Sequence, residues 1–214
     1  MKTIFFDFNG TIINDVDLCY SILNQMLASN GLSTITKERY KDIFTFPIKK
    51  YYEAAGFDFS KKSFENLSDD FIKLYQQASL NCPLYDNVEK SLSILKLKGY
   101  RLVCLSASQI DNLKEQLYHF KIDKYFDAIL GISDIYARSK VDIGRAYMKD
   151  NNIEQSDAIM IGDTLHDKEV CDSMKIKCVL FDGGHQSHQI LEQAGVRIVS
   201  SYNEFIKYIG GHYE

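Results

Sequence analysis

The 214-residue sequence predicts the α/β doubly wound class, with a mainly parallel sheet and a small α-helical subdomain inserted into it. Three observations carry this expectation. Short apolar, β-branched runs recur along the chain, and their hydrophobicity is continuous rather than alternating, which marks strands covered on both faces. Segments with helical spacing separate those runs, so strand and helix alternate. One stretch, from about Asn14 to Cys82, shows helical patterns and no strand run.

Taken in order, Thr3-Ile4-Phe5-Phe6 is the first strand run and delivers Asp7 into the loop Phe8-Asn9-Gly10-Thr11. Helical patterns then cover Val16 to Ser29, Lys37 to Phe44, Ile48 to Ala55 and Lys61 to Leu80. Pro47 and the Gly56-Phe57-Asp58 turn punctuate them, with Ser60 the expected N-cap of the last. A crossover between parallel strands usually needs one helix. Four in that place predict an inserted subdomain over residues 14–82, with residues 1–13 and 83–214 forming the sheet-bearing core. The ends of the insertion fall beside the Asp7 loop, so it can fold over the carboxyl edge of the sheet as a lid.

The core continues the alternation. Val88, Leu92, Leu95 and Leu97 precede the strand run Arg101 to Leu105, and Leu113, Leu117 and Phe120 precede Ala128 to Leu130. Ile143, Ala146 and Tyr147 lead to Ala158 to Ile161, Val170 and Met174 to Lys177 to Phe181, and Ile190 and Leu191 to Arg197 to Val199.

Composition narrows the function classes. Hydrophobic content of 45% and charged content of 25% are those of a soluble globular protein. A net charge of -4, with no basic stretch beyond pairs such as Lys49-Lys50 and Lys61-Lys62, argues against a nucleic-acid partner. No run approaches the roughly 18 apolar residues of a membrane span, and the first strand begins too early for a signal sequence, so no membrane partner and a cytoplasmic location are expected. The five cysteines are odd in number and lack CxxC spacing, which indicates neither a disulfide framework nor a zinc site.

Four segments end strands or open helices at one edge, where open α/β sheets keep their ligands. Asp7 follows the first strand, where a carboxylate can attack phosphorus or hold a metal; alternatively it bonds its own backbone in an Asx-turn. Ser106, with the backbone N–H groups of Ala107 and Ser108, makes either an anion site or a local N-cap. Lys140 opens the helix after the third strand and is placed to clamp phosphate, although most lysines are simply solvated. Asp163 ends the fourth strand, and Asp7 plus Asp163 with a backbone carbonyl would suffice for a hard cation such as Mg²⁺. Asp167, four residues on, either holds a metal-bound water or complements a helix dipole.

Together, Asp7-Phe8-Asn9-Gly10-Thr11, Leu105-Ser106-Ala107-Ser108, Lys140 and Gly162-Asp163 through Asp167 resemble the motifs of the haloacid dehalogenase superfamily, in order and spacing and over essentially the whole chain. The resemblance implies a Rossmann-like core with a helical cap, Mg²⁺ dependence, and hydrolysis of a small phosphorylated metabolite through an aspartyl-phosphate. Phosphoglycolate phosphatase-like members are the most similar, through Gly162-Asp163-Thr164, His166-Asp167 and Gly184-His185-Gln186-Ser187. It assigns Asp7, Asn9 and Lys140 to catalysis, Phe8, Asn9, Ser106, Ala107 and Lys140 to substrate, and Asp7, Asn9, Asp163 and Asp167 to the metal. In this last group Asn9 serves through its backbone carbonyl.

One position departs from the pattern. Phosphatases of the superfamily carry a second Asp where this chain has Asn9, and that Asp protonates the leaving alcohol and later activates water. Asn cannot exchange a proton at neutral pH. Such general acid and base catalysis is worth about 10² to 10⁴ in rate. Four explanations stand: an introduced change, a substrate with a good leaving group such as an acyl phosphate, a proton from Asp15 or the cap, or ligand binding without turnover. The phosphonatase-like branch, which also lacks the second Asp, would need Lys49 or Lys50 as a Schiff base. Substrate choice is expected to lie with the cap, where Phe44, Phe46, Lys49, Tyr51 and Tyr52 are candidates.

Overall fold

The computed structural model describes residues 2–132 and 139–213. Six strands, β1 (Thr3–Phe6), β2 (Arg101–Gln109), β3 (Ala128–Ile132), β4 (Ala158–Gly162), β5 (Lys177–Phe181) and β6 (Arg197–Val199), form one sheet in the order β3-β2-β1-β4-β5-β6. Every pairing is parallel. Strand parity sorts the core into two layers. Ile4, Phe6, Leu102, Cys104, Ile159 and Ile161 face one side, and Phe5, Val103, Leu105 and Met160 face the other.

Helices α5 (Val88–Leu97), α6 (Ile110–His119) and α10 (Tyr202–Tyr213) cover the first side, and α7 (Lys140–Asp150), α8 (Leu165–Met174) and α9 (His188–Glu192) the second. The chain runs from β1 outward to β2 and β3, then crosses back to β4. The strand order therefore reverses between β1 and β4, and a crevice opens at their carboxyl ends. Asp7 and Asp163 stand at that crevice because each immediately follows one of the two strands.

Between β1 and α5 lie α1 (Val16–Ser29), α2 (Lys37–Ile43), α3 (Ile48–Ala55) and α4 (Phe64–Ser79). They bury their own apolar cluster, including Leu23, Leu27, Tyr40, Tyr51 and Leu67. The two ends of this insertion are tied together: the Asn14 N–H donates to the Pro83 carbonyl at 2.9 Å and the Tyr85 N–H to the Ile12 carbonyl at 3.0 Å. No helix among the described residues is long and apolar enough to cross a membrane.

Two expected boundaries move. α4 starts at Phe64 rather than Lys61, because the Asp58 carboxylate captures Ser60 through its N–H (3.0 Å) and hydroxyl (2.7 Å). Ser63 caps the helix instead, accepting from the Asn66 N–H at 3.2 Å. Strand β2 runs past Leu105 to Gln109, with its register against β3 shifting between those residues. The side chain of Gln109 caps α6, accepting from the N–H groups of Asp111 and Asn112. Ser106 is thus not that helix's N-cap; its hydroxyl accepts from the Ser108 N–H at 3.1 Å.

Candidate active site

Asp7 is anchored by its N–H, which donates to the Ile161 carbonyl of β4 at 2.9 Å. Its carboxylate receives the ammonium of Lys140, which also donates to Asp167 Oδ1 at 2.7 Å. Helix capping sets up both partners. Ser139 and Asp142 form a capping box that starts α7 at Lys140, and Thr164 and Asp167 form another at the start of α8. Asp167 Oδ2 accepts from the N–H groups of Asp163 (3.1 Å) and Thr164 (3.0 Å) and from the Thr164 hydroxyl (2.7 Å). Of the two sequence readings of Asp167, the helix-terminal one is seen in its Oδ2, which caps α8, while its Oδ1 faces the Lys140 ammonium.

Asp163 is held by the Thr11 hydroxyl at 3.2 Å and the His185 N–H at 2.7 Å. Gly10 makes this approach possible: its φ of +66° is in the left-handed region, and a Cβ there would collide with the Asp163 carboxylate. Asp7, Asp163 and Asp167 each bring one oxygen within 4.8 Å of the others. Burial pushes the Asp7 carboxyl up to about 8; Lys140 counteracts this, while Asp167 and Asp163 add to it. Burial likewise raises Asp163 to about 6, against the pull of His185. At Asp167 burial also pushes upward, but Lys140 and Thr164 outweigh it and hold the group below the ordinary carboxylate range. Lys140 loses to burial and gains more from Asp167 and Asp7, so its ammonium is held charged. Three carboxylates around one ammonium leave excess negative charge on oxygen donors, the environment a hard divalent cation relieves.

A second group, Asp15, Cys19 and His185, also brings potential ligand atoms together. Its atoms are already engaged. His185 Nε2 faces Asp15 Oδ1 at 3.3 Å, His185 Nδ1 meets the Tyr40 hydroxyl at 2.7 Å, and burial keeps the Cys19 thiol protonated.

Asn9 joins that buried network to the site. Its Oδ1 accepts from the Ser108 hydroxyl at 2.9 Å, and its Nδ2 donates to Asp15 Oδ2 (3.0 Å) and to the Tyr75 hydroxyl (2.6 Å). Tyr75 in turn donates to Asp15 Oδ2 at 2.7 Å, and the Gly10 N–H donates to Asp15 Oδ1 at 2.9 Å. Burial pushes the Asp15 carboxyl up, but His185, Asn9 and Tyr75 hold it below the ordinary range. His185 is shifted the other way, since Asp15 more than offsets the lowering by burial. Asp15 is thus ionised at neutral pH and has no proton to give a leaving group.

These groups open into a cavity of about 400 Å³ between the insertion and the sheet edge. Asp7, Asn9, Ser106, Ala107, Lys140, Asp163 and Asp167 all line it. Phe8, expected at the substrate, does not: its side chain is fully buried on the α5 and α10 side of the sheet. The opposite wall is aromatic, with Phe44, Phe46, Tyr51, Tyr52 and Phe71. Phe46 stacks on His166 and Phe44 on His185, with ring centroids at 4.5 and 4.7 Å. Lys49 lies elsewhere, with its ammonium 5.3 Å from the Phe59 ring centroid, and neither it nor Lys50 lines the cavity.

Sequence reasoning missed Tyr75 and Tyr40. Nothing local marks them, because an aromatic at helical spacing reads as core, and Tyr75 lies 66 residues from Asn9. His185 carried a signal, the Gly184-His185 step, but not its ion pair with Asp15.

Residues 4–181 match the family model described as haloacid dehalogenase-like hydrolase. The phosphoglycolate phosphatase of Colwellia psychrerythraea is 24% identical over 216 residues, covering 96% of this chain and 95% of that protein. The pyrophosphatase PpaX of Bacillus cereus is 23% identical over 173 residues, covering 78% of this chain and 76% of that protein. Among solved structures, one described as a predicted phosphatase from Clostridium acetobutylicum superposes with a TM-score of 0.82 at 26% identity and covers 98% of both chains.

Proposed function

Because the chain belongs to the haloacid dehalogenase-like hydrolase family, we propose that it is a Mg²⁺-dependent phosphohydrolase of a small phosphorylated metabolite, with Asp7 as the nucleophile. The observation that carries this reading is the buried Asp7–Lys140–Asp167 chain of contacts beside Asp163, at the crevice between β1 and β4. The named activities of the phosphoglycolate phosphatase and pyrophosphatase relatives agree with the reaction class. In this reading the helical insertion over residues 14–82 is the cap.

Asp7 attacks phosphorus in line, an Asp7 oxygen–phosphorus bond forms, and the bond to the leaving oxygen breaks with its electron pair. Lys140, Ser106 and the backbone at Ala107 hold the nonbridging oxygens and stabilise the charge that spreads over them. Asp7, Asp163, the Asn9 carbonyl and Asp167, the last acting through water, would hold Mg²⁺. When bound, that ion offsets repulsion between the phosphoryl group and the attacking carboxylate. Water then attacks the aspartyl-phosphate and regenerates Asp7. Asn9 cannot take the proton from that water, so the proton passes to solvent.

Two measurements test the assignment. Asp7→Asn is expected to abolish phosphate release from an aryl phosphate. Acid-quenched wild type is expected to carry hydroxylamine-labile phosphate that the variant lacks. Unchanged release by the variant sinks the reading. A second reading, a phosphate-ligand binding protein without turnover, is favoured by the Asn9 amide, both of whose donors are committed to Asp15 and Tyr75. Binding of ligand with no product and no phosphoprotein would support it. The phosphonatase-like chemistry lacks its amine, since neither cap lysine reaches the cavity.

A further inference from the structure

The cavity beside Asp7 is poor in lysine and arginine among its described lining residues. Lys140 is the only lysine or arginine among its described lining residues, and it is already paired with Asp7 and Asp167 at the phosphoryl end. The wall supplied by the insertion is aromatic and aliphatic, running from Phe44 and Tyr51 through Phe71 to Ile72, which is half exposed. Asp15 and Glu115 add carboxylates to the lining. A second anionic group on the substrate, whether a carboxylate or another phosphate, would face aromatic carbon and negative charge, with no lysine or arginine among the described lining residues beyond the already paired Lys140, and with His185 already paired to Asp15. An uncharged ring would instead bury apolar surface against rings, which is favourable.

Position 9 points the same way by separate reasoning. Asn9 cannot protonate a departing oxygen, and both oxygens of Asp15 behind it already accept hydrogen bonds, from the Asn9 amide, the Tyr75 hydroxyl and the Gly10 N–H. A leaving group must then depart as its anion. A phenol, with a pKa of about 10 like that of tyrosine, does so far more readily than an alcohol whose oxygen is nearly as basic as water's, about 15.7. Size fits as well. A cavity of roughly 150 Å³ accepts benzene, so the 400 Å³ here takes a ring system beside the phosphoryl group.

We propose that the substrate is a small aryl phosphate: a monoester of a phenolic hydroxyl on an uncharged ring, with no second anionic group. This deepens the phosphohydrolase reading and rests on it for turnover, though not for binding. The phosphorus–aryl oxygen bond breaks, the phenolate takes the electron pair and is protonated by solvent, and the phosphoryl group passes to Asp7 and then to water. Phe44, Tyr51 and Phe71 select the ring, and the missing acid at position 9 selects the acidity of its hydroxyl.

The test compares 2-naphthyl phosphate, n-hexyl phosphate, phosphoglycolate and inorganic pyrophosphate with Mg²⁺ present. The expected kcat/KM for naphthyl phosphate exceeds that for phosphoglycolate and pyrophosphate by at least about 100-fold. Hexyl phosphate is expected to compete for the site yet turn over at least about 100-fold more slowly than naphthyl phosphate. Ile72→Lys, which places a cation at the half-exposed mouth, should narrow the gap between naphthyl phosphate and phosphoglycolate by about tenfold. Phosphoglycolate or pyrophosphate turned over as well as naphthyl phosphate would overturn the proposal and leave the phosphohydrolase reading intact. If no ester is cleaved, that reading fails, and equilibrium binding decides the proposal alone. A naphthylmethylphosphonate binding at least tenfold tighter than phosphonoacetate supports it, and equal or reversed affinities overturn it.

Discussion

The amide of Asn9 donates to the Asp15 carboxylate at 3.0 Å, so the residue that lacks a proton to transfer stands hydrogen-bonded to an ionised acid. The Tyr75 hydroxyl closes the triangle, bonded to both. An Asp at position 9 would put two carboxylates at that distance, and such pairs hold one proton between them.

Asn9→Asp is therefore expected to do two things. The kcat/KM for alkyl phosphates should rise by about 10² to 10⁴, and that for aryl phosphates much less. The new carboxyl, raised by its neighbour Asp15, holds a proton in the folded state that the unfolded chain releases. The variant should then lose thermal stability relative to wild type as pH rises from about 4, where the unfolded carboxyl ionises, towards neutrality. Melting curves across that range check the second effect, and equal stability at both ends would show that the network rearranges.

Removing the shared cation should be costly. Lys140→Met leaves Asp7 and Asp167 facing each other without their common ammonium, in a side-chain environment only 3–11% exposed. Breaking a buried pair typically costs about 3–5 kcal/mol. Chemical denaturation should show a loss of that order, with phosphate release abolished.

Metal and pH should be linked with a definite sign. Asp7, raised to about 8, and Asp163, raised to about 6, bind protons more tightly folded than unfolded. Metal-free stability should thus be greatest at low pH within this range and fall as pH rises through about 6 and then about 8. Mg²⁺ competes with those protons, so its apparent affinity should rise by up to roughly tenfold per pH unit there. Thermal shifts with EDTA and with fixed Mg²⁺ at pH 6 and pH 8 measure it. A Mg²⁺ shift independent of pH would contradict the carboxylate assignment.

Tyr75→Phe keeps the ring that stacks on Phe71, at 5.5 Å between centroids, and removes the hydroxyl shared by Asn9 and Asp15. Leaving those groups short of a partner should cost about 1–3 kcal/mol. KM should also rise, because α4 forms part of the cavity wall. Stability curves and steady-state kinetics on the variant separate the two effects.

The order of the core elements and the convergence of Asp7, Lys140 and Asp163 were legible because strand runs and the residues that end them are local patterns, and a parallel sheet brings those ends to one edge. The burial of the Phe8 side chain could have been read from its parity with Ile4 and Phe6, which share its side of the sheet. Ser60 and Ser63 are equally good N-caps in isolation, and only the bond from Ser60 to Asp58 separates them. The network of Tyr40, Tyr75 and His185 was hidden because its hydrogen bonds span 60 to 145 residues, and those joining Tyr40 to His185 and Asn9 to Tyr75 link the insertion to the core.

Asp7, the proposed nucleophile, and the aromatic wall of the cavity also differ in how the chain holds them. The Asp7 N–H is bonded into the interior of the sheet, between β2 and β4, and should exchange with solvent deuterium only when the whole domain opens. Helix α4, which buries only Leu67 and Ser79 along its length, should exchange through a cheaper, partial opening. The wall proposed to tell substrates apart can therefore breathe, and accumulate sequence change, while the carboxylate proposed to do the chemistry stays still.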